Sequence, residues 1–192
     1  NVSWLPLGCN TMAHPNLQEL MEHPNRDSHT KGKPLNKIYD LGFVGFVNRG
    51  AGEGSNNRAE WLDFAFKSYP NFWFAYNKFF EDMAVVYVRS KLGFNISIRN
   101  DLNMRFFEVL SSGTCCLTNT TVEGLTELGF IEGEHFLGYK DKDEFKVKAD
   151  FGLINFNERE MIAKKGMDFV RANHTYDKRM SKILDDFKIK IS

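Results

Sequence analysis

From residue 38 onward the chain sets unbroken apolar runs of strand length between stretches of helical pattern. The runs are IYDLGFVGFV (38–47), FWFAY (72–76), LGFNISI (92–98), TCCLT (114–118) and HFLGY (135–139). Their apolar residues follow one another instead of alternating with polar ones, so both faces of each strand are expected to be covered, as in a parallel sheet. Helix starts are predicted where a capping side chain precedes a carboxylate by three residues: Asn57 with Glu60, Asp141 with Glu144, and Asn157 with Glu160. A last helix, from about Thr175, carries Tyr176, Met180, Ile183, Leu184 and Phe187 on one stripe and should pack by that face. The alternation predicts an α/β fold with a doubly wound parallel sheet and a C-terminal helical extension. Residues 11–37 are polar, contain Pro15, Pro24 and Pro34, and read as a linker or irregular arm. The expected division is therefore 1–37 as arm and 38–192 as the folded domain.

Charge narrows the function. Lys plus Arg and Asp plus Glu balance at 25 each, so no global field would draw the protein to nucleic acid or to an anionic membrane. No apolar run is long enough to span a bilayer and the start lacks a signal-peptide pattern, which makes the expected location cytoplasmic. Cys9, Cys115 and Cys116 form neither a disulfide framework nor a zinc set and read as small buried hydrophobes. Sequons at Asn95, Asn119 and Asn173 carry little weight without a secretory signal. His14, His23 and His29 share no ligand spacing and read as solvated loop residues, and no metal site is expected. The triplet DFG at Asp150 to Gly152 lacks the other kinase signatures. The aromatic stretch FWFAYNKFF (72–80) reads as core packing and not as a stacking surface.

In a doubly wound sheet, ligands sit beyond the carboxyl ends of the strands, where strand order reverses. Three loops qualify: 48–56 (NRGAGEGSN), 99–103 (RNDLN) and 119–127 (NTTVEGLTE). The first is glycine-rich, with Arg49 and Arg58 to supply charge, but it matches neither GxGxxG nor the Walker pattern. The second is more specific. A strand ends near Ile98, and a helix begins near Asn103 and stops at Gly113. The free amides of Asn103, Met104 and Arg105 would make an anion site at the helix start, with Arg99 or Arg105 as a cation. Further along that helix Glu108 stands among Phe106, Phe107, Val109 and Leu110. Burying an unpaired carboxylate there would cost several kcal/mol, so a ligand partner is expected, and vicinal sugar hydroxyls suit a carboxylate.

These residues carry a resemblance. The stretch 100–117 resembles the E-x7-E region of GT-B glycosyltransferases of the glycosyl transferases group 1 superfamily, with Glu108 at the second Glu, Gly113 at the glycine, and Cys116 and Leu117 in the following strand. DLGFVGFVNR resembles the first strand of the donor-binding half, EGLTELGFIEGEHFLGYKDKDEF its later GxxE segment, and KKGMDFVRANHTYDKRM the HTY ending found in the spore-maturation-protein-like branch. NVSWLPLGCN resembles the entry from an interdomain linker. What the resemblance implies is the Rossmann-like, C-terminal half of a GT-B enzyme, binding a nucleotide-diphosphate sugar. Glu108 would hold the ribose and the amides of Asn103 and Met104 the diphosphate, with Arg105, Arg49 or Arg58 as basic partners. Asn100, Asp101 and Glu123 would flank the donor sugar. The first Glu of the motif is replaced by Asn100, which can donate as well as accept hydrogen bonds.

The expected function is sugar transfer from such a donor, without a metal or bound cofactor. An N-terminal acceptor-binding domain would supply the acceptor site and any catalytic base. The Asn100 replacement supports an alternative, a non-catalytic nucleotide or nucleotide-sugar binding module. A nicotinamide oxidoreductase shares the fold but lacks its fingerprint after the first strand. His174 in the HTY ending reads as a structural brace for the last helix.

Overall fold

The structure, a computed structural model, describes residues 4–22, 35–47, 53–97 and 101–186, with the side chains of 53–56 left out. Among these residues five strands form one sheet: β1 (Tyr39–Val44), β2 (Phe72–Ala75), β3 (Ser90–Phe94), β4 (Cys115–Asn119) and β5 (Leu137–Tyr139). Each falls within or overlaps an apolar run expected from the sequence. The strand order is β2-β1-β3-β4-β5 and every pairing is parallel. The fold is thus an α/β Rossmann-like sheet flanked by helices, as expected.

Among the described residues seven helices accompany it: α1 (Leu17–Glu22), α2 (Glu53–Ser68), α3 (Phe80–Val88), α4 (Met104–Ser111), α5 (Lys142–Ile154), α6 (Phe156–Asn173) and α7 (Tyr176–Asp186). The unbroken apolar strands do cover two faces. Leu41 and Phe43 of β1, Leu92 and Phe94 of β3, and Cys115 and Leu117 of β4 share one cluster with α2, α5 and α6. Val44 and Cys116, on the opposite pleat, join α3 and α4 in the other. All three cysteines are buried and free, as read from the sequence. Asn95 and Asn119 are buried with bonded side chains, which closes two sequons.

Helix starts were less legible. Asp141 caps α5 as expected, accepting from the amides of Asp143 and Glu144 at 3.0 and 2.8 Å. The other two caps are corrected. α2 begins at Glu53, a turn before Asn57. α6 begins at Phe156 after Asn155, whose side chain makes no cap bond, and Glu160 instead pairs with Lys37 and Arg159. The apolar stripe of α7 stays largely exposed: none of its described residues is buried, and Phe187 lies outside the described residues.

Two features fix α4. An ideal Cβ on Gly93 of β3 would stand 2.4 Å from Val109 Cγ1, so the missing side chain lets the helix approach the sheet closely. Gly113, at φ +73°, turns the chain out of the helix into β4. The N-terminal segment is tied to the same region. Cys9 N–H donates to the His174 carbonyl at 2.8 Å and Tyr176 N–H to the Cys9 carbonyl at 3.1 Å. Arg171 of α6 forms a bidentate pair with Glu19 and donates to the carbonyls of Ser111 and His14.

Candidate functional site

Strand order reverses between β1 and β3, since β2 lies on one side of β1 and β3 on the other. A cavity of about 470 Å³ opens at that end of the sheet. Its walls include Val44 at the end of β1 with Gly45 and Phe46 just beyond it, residues 76–80 leading into α3, the start of α4 and His14 of the N-terminal segment. A hollow of about 560 Å³ beside it is walled almost wholly by apolar groups of α2 and β2 and offers an anion no cation.

The start of α4 is built as the sequence predicts. Asn103 is the N-cap, and its Oδ1 accepts from Phe106 N–H at 3.2 Å. The amides of Met104 and Arg105, in the first helical turn, have no acceptor within the helix and carry the positive end of its dipole. Met104, Arg105 and Glu108 all line the cavity. Glu108 is 9% exposed, and burial raises its pKa, with Arg105 partly opposing. The basic side chain nearest its carboxylate among the described ion-pair contacts is His14, Nε2 to Oε1 at 3.5 Å. Glu108 is therefore neither a helix-surface carboxylate nor locked onto a permanent cation.

His14 corrects its reading as a solvated loop residue: it is 6% exposed. Its amide donates to the Asn10 carbonyl, and its own carbonyl accepts from Ser111 Oγ and Arg171. Burial lowers its pKa, with the Asn10 carbonyl and the Glu81 charge opposing, so the ring is neutral at pH 7. Its position follows from the packing of 4–22 onto the domain, and no spacing in the sequence announces that. His23 and His29 lie outside the described residues.

Two guanidinium groups meet the same end of β1. Arg105 lies over the Phe43 ring, 5.0 Å from its centre. Arg58 donates to the Phe46 carbonyl at 3.2 Å. The Nε atoms of both are buried without a hydrogen-bond partner, and among the described residues no carboxylate pairs with either side chain. The pKa of Arg58 is lowered by burial first and then by the Arg105 charge. Arg105 lines the cavity with the free amides of the helix start, and with Arg58 near enough for the two charges to interact the arrangement suits an anion.

The aromatic stretch 72–80 also departs from its reading as core packing. Tyr76, Phe79 and Phe80 are exposed, Phe79 at 66%. Asn77 and Phe80 hold φ of 54° and 50°, a region uncommon for residues with side chains. This loop turns aromatic rings and Lys78 toward the cavity wall. The exposure of three bulky rings could not be told from β-strand composition.

The remaining candidates separate. Asp101 and Glu123 line a second cleft, of about 530 Å³, with Glu127 and the N-terminal Trp4. Asp101 Oδ1 accepts from Ser97 Oγ at 2.8 Å. The Trp4 ring fills the space that a Cβ at Gly124 would need, so the close approach allowed there is used by the protein itself. Arg49 and Asn100, and with them most of loop 48–56 and Arg99, lie outside the described residues. Among the described residues no group of three or more His, Cys, Asp or Glu could hold a metal ion, and no helix is long and apolar enough to cross a membrane.

His174 lies apart from the cavity as a brace. Its Nε2 stands 3.1 Å from the Leu128 carbonyl and its Nδ1 2.7 Å from Arg179 Nη2. These partners fix the neutral tautomer with the proton on Nε2. The ring stacks on Phe130 at 4.8 Å.

Solved structures share this fold. The chain aligns over 96% of its length with sucrose-phosphate synthase from Thermosynechococcus elongatus, at a TM-score of 0.68 and 14% identity. It aligns over 98% with an UDP-forming alpha,alpha-trehalose-phosphate synthase from Burkholderia xenovorans, at a TM-score of 0.63 and 11% identity. The chain spans about half of each of those chains, 51% and 52%. These likenesses establish the fold. No curated protein matches the chain. Residues 50–185 match the family model described as glycosyl transferase-like, and the chain belongs to that family.

Proposed function

We propose that the chain is the donor-nucleotide half of a GT-B glycosyltransferase that moves a sugar from a nucleotide-diphosphate donor to an acceptor. The observation that carries this reading is Glu108, buried with no hydrogen-bond donor among the described residues, lining the cavity at the strand-order reversal beside the start of α4. In the proposal the carboxylate accepts hydrogen bonds from the ribose hydroxyls. The Met104 and Arg105 amides, the Arg58 and Arg105 guanidiniums and, on sequence grounds, Arg49 receive the diphosphate. The rings of loop 76–80 offer the base an apolar wall. Asn100, Asp101 and Glu123 remain proposed neighbours of the donor sugar, with the Trp4 cleft next to them.

The chemistry follows from charge. As the glycosidic bond breaks, negative charge gathers on the departing diphosphate, and donors already aimed at that place lower the barrier without reorganising. No metal or bound cofactor enters this scheme. The other half of the enzyme, an N-terminal acceptor-binding domain, would bring the acceptor and any base; the match to about half of each structural relative supports such a partner. A cytoplasmic location and kinship with the spore-maturation-protein-like branch belong to the same proposal.

Melting the protein with UDP, GDP, ADP and NAD tests the reading. A nucleoside diphosphate at a hundred times its Kd should stabilise the fold by about 2.7 kcal/mol, which for a chain of this size raises Tm by roughly 5–10 °C. Protection by NAD alone would favour an oxidoreductase. A full-length, two-domain protein that binds nucleotide yet releases none from any donor sugar would favour the binding module.

A further inference from the structure

The N-terminal segment places an imidazole in the cavity where the ribose is proposed to bind. His14 lines the same space as Glu108, and its Nε2 stands 3.5 Å from Glu108 Oε1, beyond good hydrogen-bond length. Its Nδ1 is buried with no hydrogen-bond partner. The main chain of His14 is fixed, its N–H donating to the Asn10 carbonyl and its carbonyl accepting from Ser111 Oγ and Arg171, and the ring itself is buried. Nor does the carboxylate have a hydrogen-bond donor among the described residues. Two polar groups thus face each other across a gap that neither fills.

We propose that His14 is a second binding residue for the sugar hydroxyls of the nucleotide, so that the N-terminal segment and α4 read a vicinal diol together. A hydroxyl both donates and accepts, whereas a carboxylate only accepts and a neutral imidazole does one at each nitrogen. One hydroxyl can donate to Glu108 while its neighbour exchanges a hydrogen bond with the imidazole. A deoxyribose lacks one of the two hydroxyls and leaves a buried polar group unpaired, which is the costly outcome. Burial keeps His14 neutral near pH 7. The ring therefore does not displace the sugar by forming an ion pair with Glu108. Glu81, whose charge reaches His14, and Arg105, whose charge reaches Glu108, are the other charged groups that act on the pair.

This inference rests on the nucleotide reading, and the test separates the two. Calorimetry would measure UDP, GDP and ADP and their 2′-deoxy counterparts against the native protein, His14→Phe, His14→Gln and Glu108→Ala. His14→Phe keeps the ring's bulk and removes both nitrogens; His14→Gln returns a hydrogen-bonding amide. The native protein should prefer the ribonucleotide, and His14→Phe should lose about five- to tenfold of that preference, with part of it restored in His14→Gln. Melting curves confirm that each variant is folded. If no diphosphate binds the native protein, the nucleotide reading itself fails. If Glu108→Ala weakens binding while His14→Phe leaves the ribose preference unchanged, or weakens both nucleotides equally, only the role of His14 is overturned.

Discussion

Replacing His174 by Gln should flatten the dependence of stability on acid. Burial, and then the Arg179 charge, push the His174 pKa down to about 4, while an imidazole in the unfolded chain titrates near about 6.5. Between those values the unfolded chain takes up a proton that the folded one refuses. This contribution to stability is therefore intact above the unfolded pKa and is lost as pH falls toward the folded one. By linkage the loss at about pH 5 comes to about 2 kcal/mol, and on full descent it approaches about 3 kcal/mol. For a chain of this size the first figure lowers Tm by roughly 4–8 °C. Urea or thermal melts of the native protein and His174→Gln at about pH 7.5 and about pH 5 read the difference directly. Glu108, raised by burial, contributes in the opposite sense, and His14 and His135, both lowered, in the same sense. All three are present in both proteins and cancel in the comparison. Gln can still donate to the Leu128 carbonyl, so the variant loses some packing on Phe130 but not the slope's sign. Equal acid slopes in the two proteins would refute the brace as described.

Other substitutions probe the scaffold. Gly93→Ala should force Val109 and α4 off the sheet, costing about 1–3 kcal/mol in urea melts and weakening nucleotide binding because Glu108 directly precedes Val109 in the helix. Asp141→Ala removes the α5 cap and should cost about 1 kcal/mol by the same measurement, with nucleotide affinity unchanged. Arg171→Ala frees Glu19 and the carbonyls of Ser111 and His14; hydrogen exchange at residues 8–20 should speed up, and unchanged protection there would show that the segment is held by other contacts. Arg58→Ala should weaken nucleoside diphosphates more than nucleosides in calorimetry, since its proposed partner is the diphosphate; an equal loss for both would remove it from the anion site.

The sheet was legible because its signal is local and redundant. Each strand coincides with or overlaps a mostly apolar run, and successive residues such as Phe43 and Val44 bury on opposite faces. The start of α4 was legible for a similar reason, as Asn103 caps it and Gly113 ends it within one short stretch. Glu108 announced itself by conflict, a carboxylate in apolar company. What escaped depends on contacts distant in sequence. His14 gains its place from Ser111 and Arg171, 97 and 157 residues away. The rings of 76–80 look like strand residues until the backbone turns at Asn77 and Phe80. Glu160 carries the cap signature, yet Lys37, 123 residues distant, claims its side chain.

A crystal soaked with the nucleoside diphosphate that raises Tm most tests the central claim directly. The account predicts ribose hydroxyls within hydrogen-bond distance of Glu108 and diphosphate oxygens on the Met104 and Arg105 amides. A nucleotide seated in the Trp4 cleft, or one in the cavity with Glu108 turned away from its sugar, would contradict it.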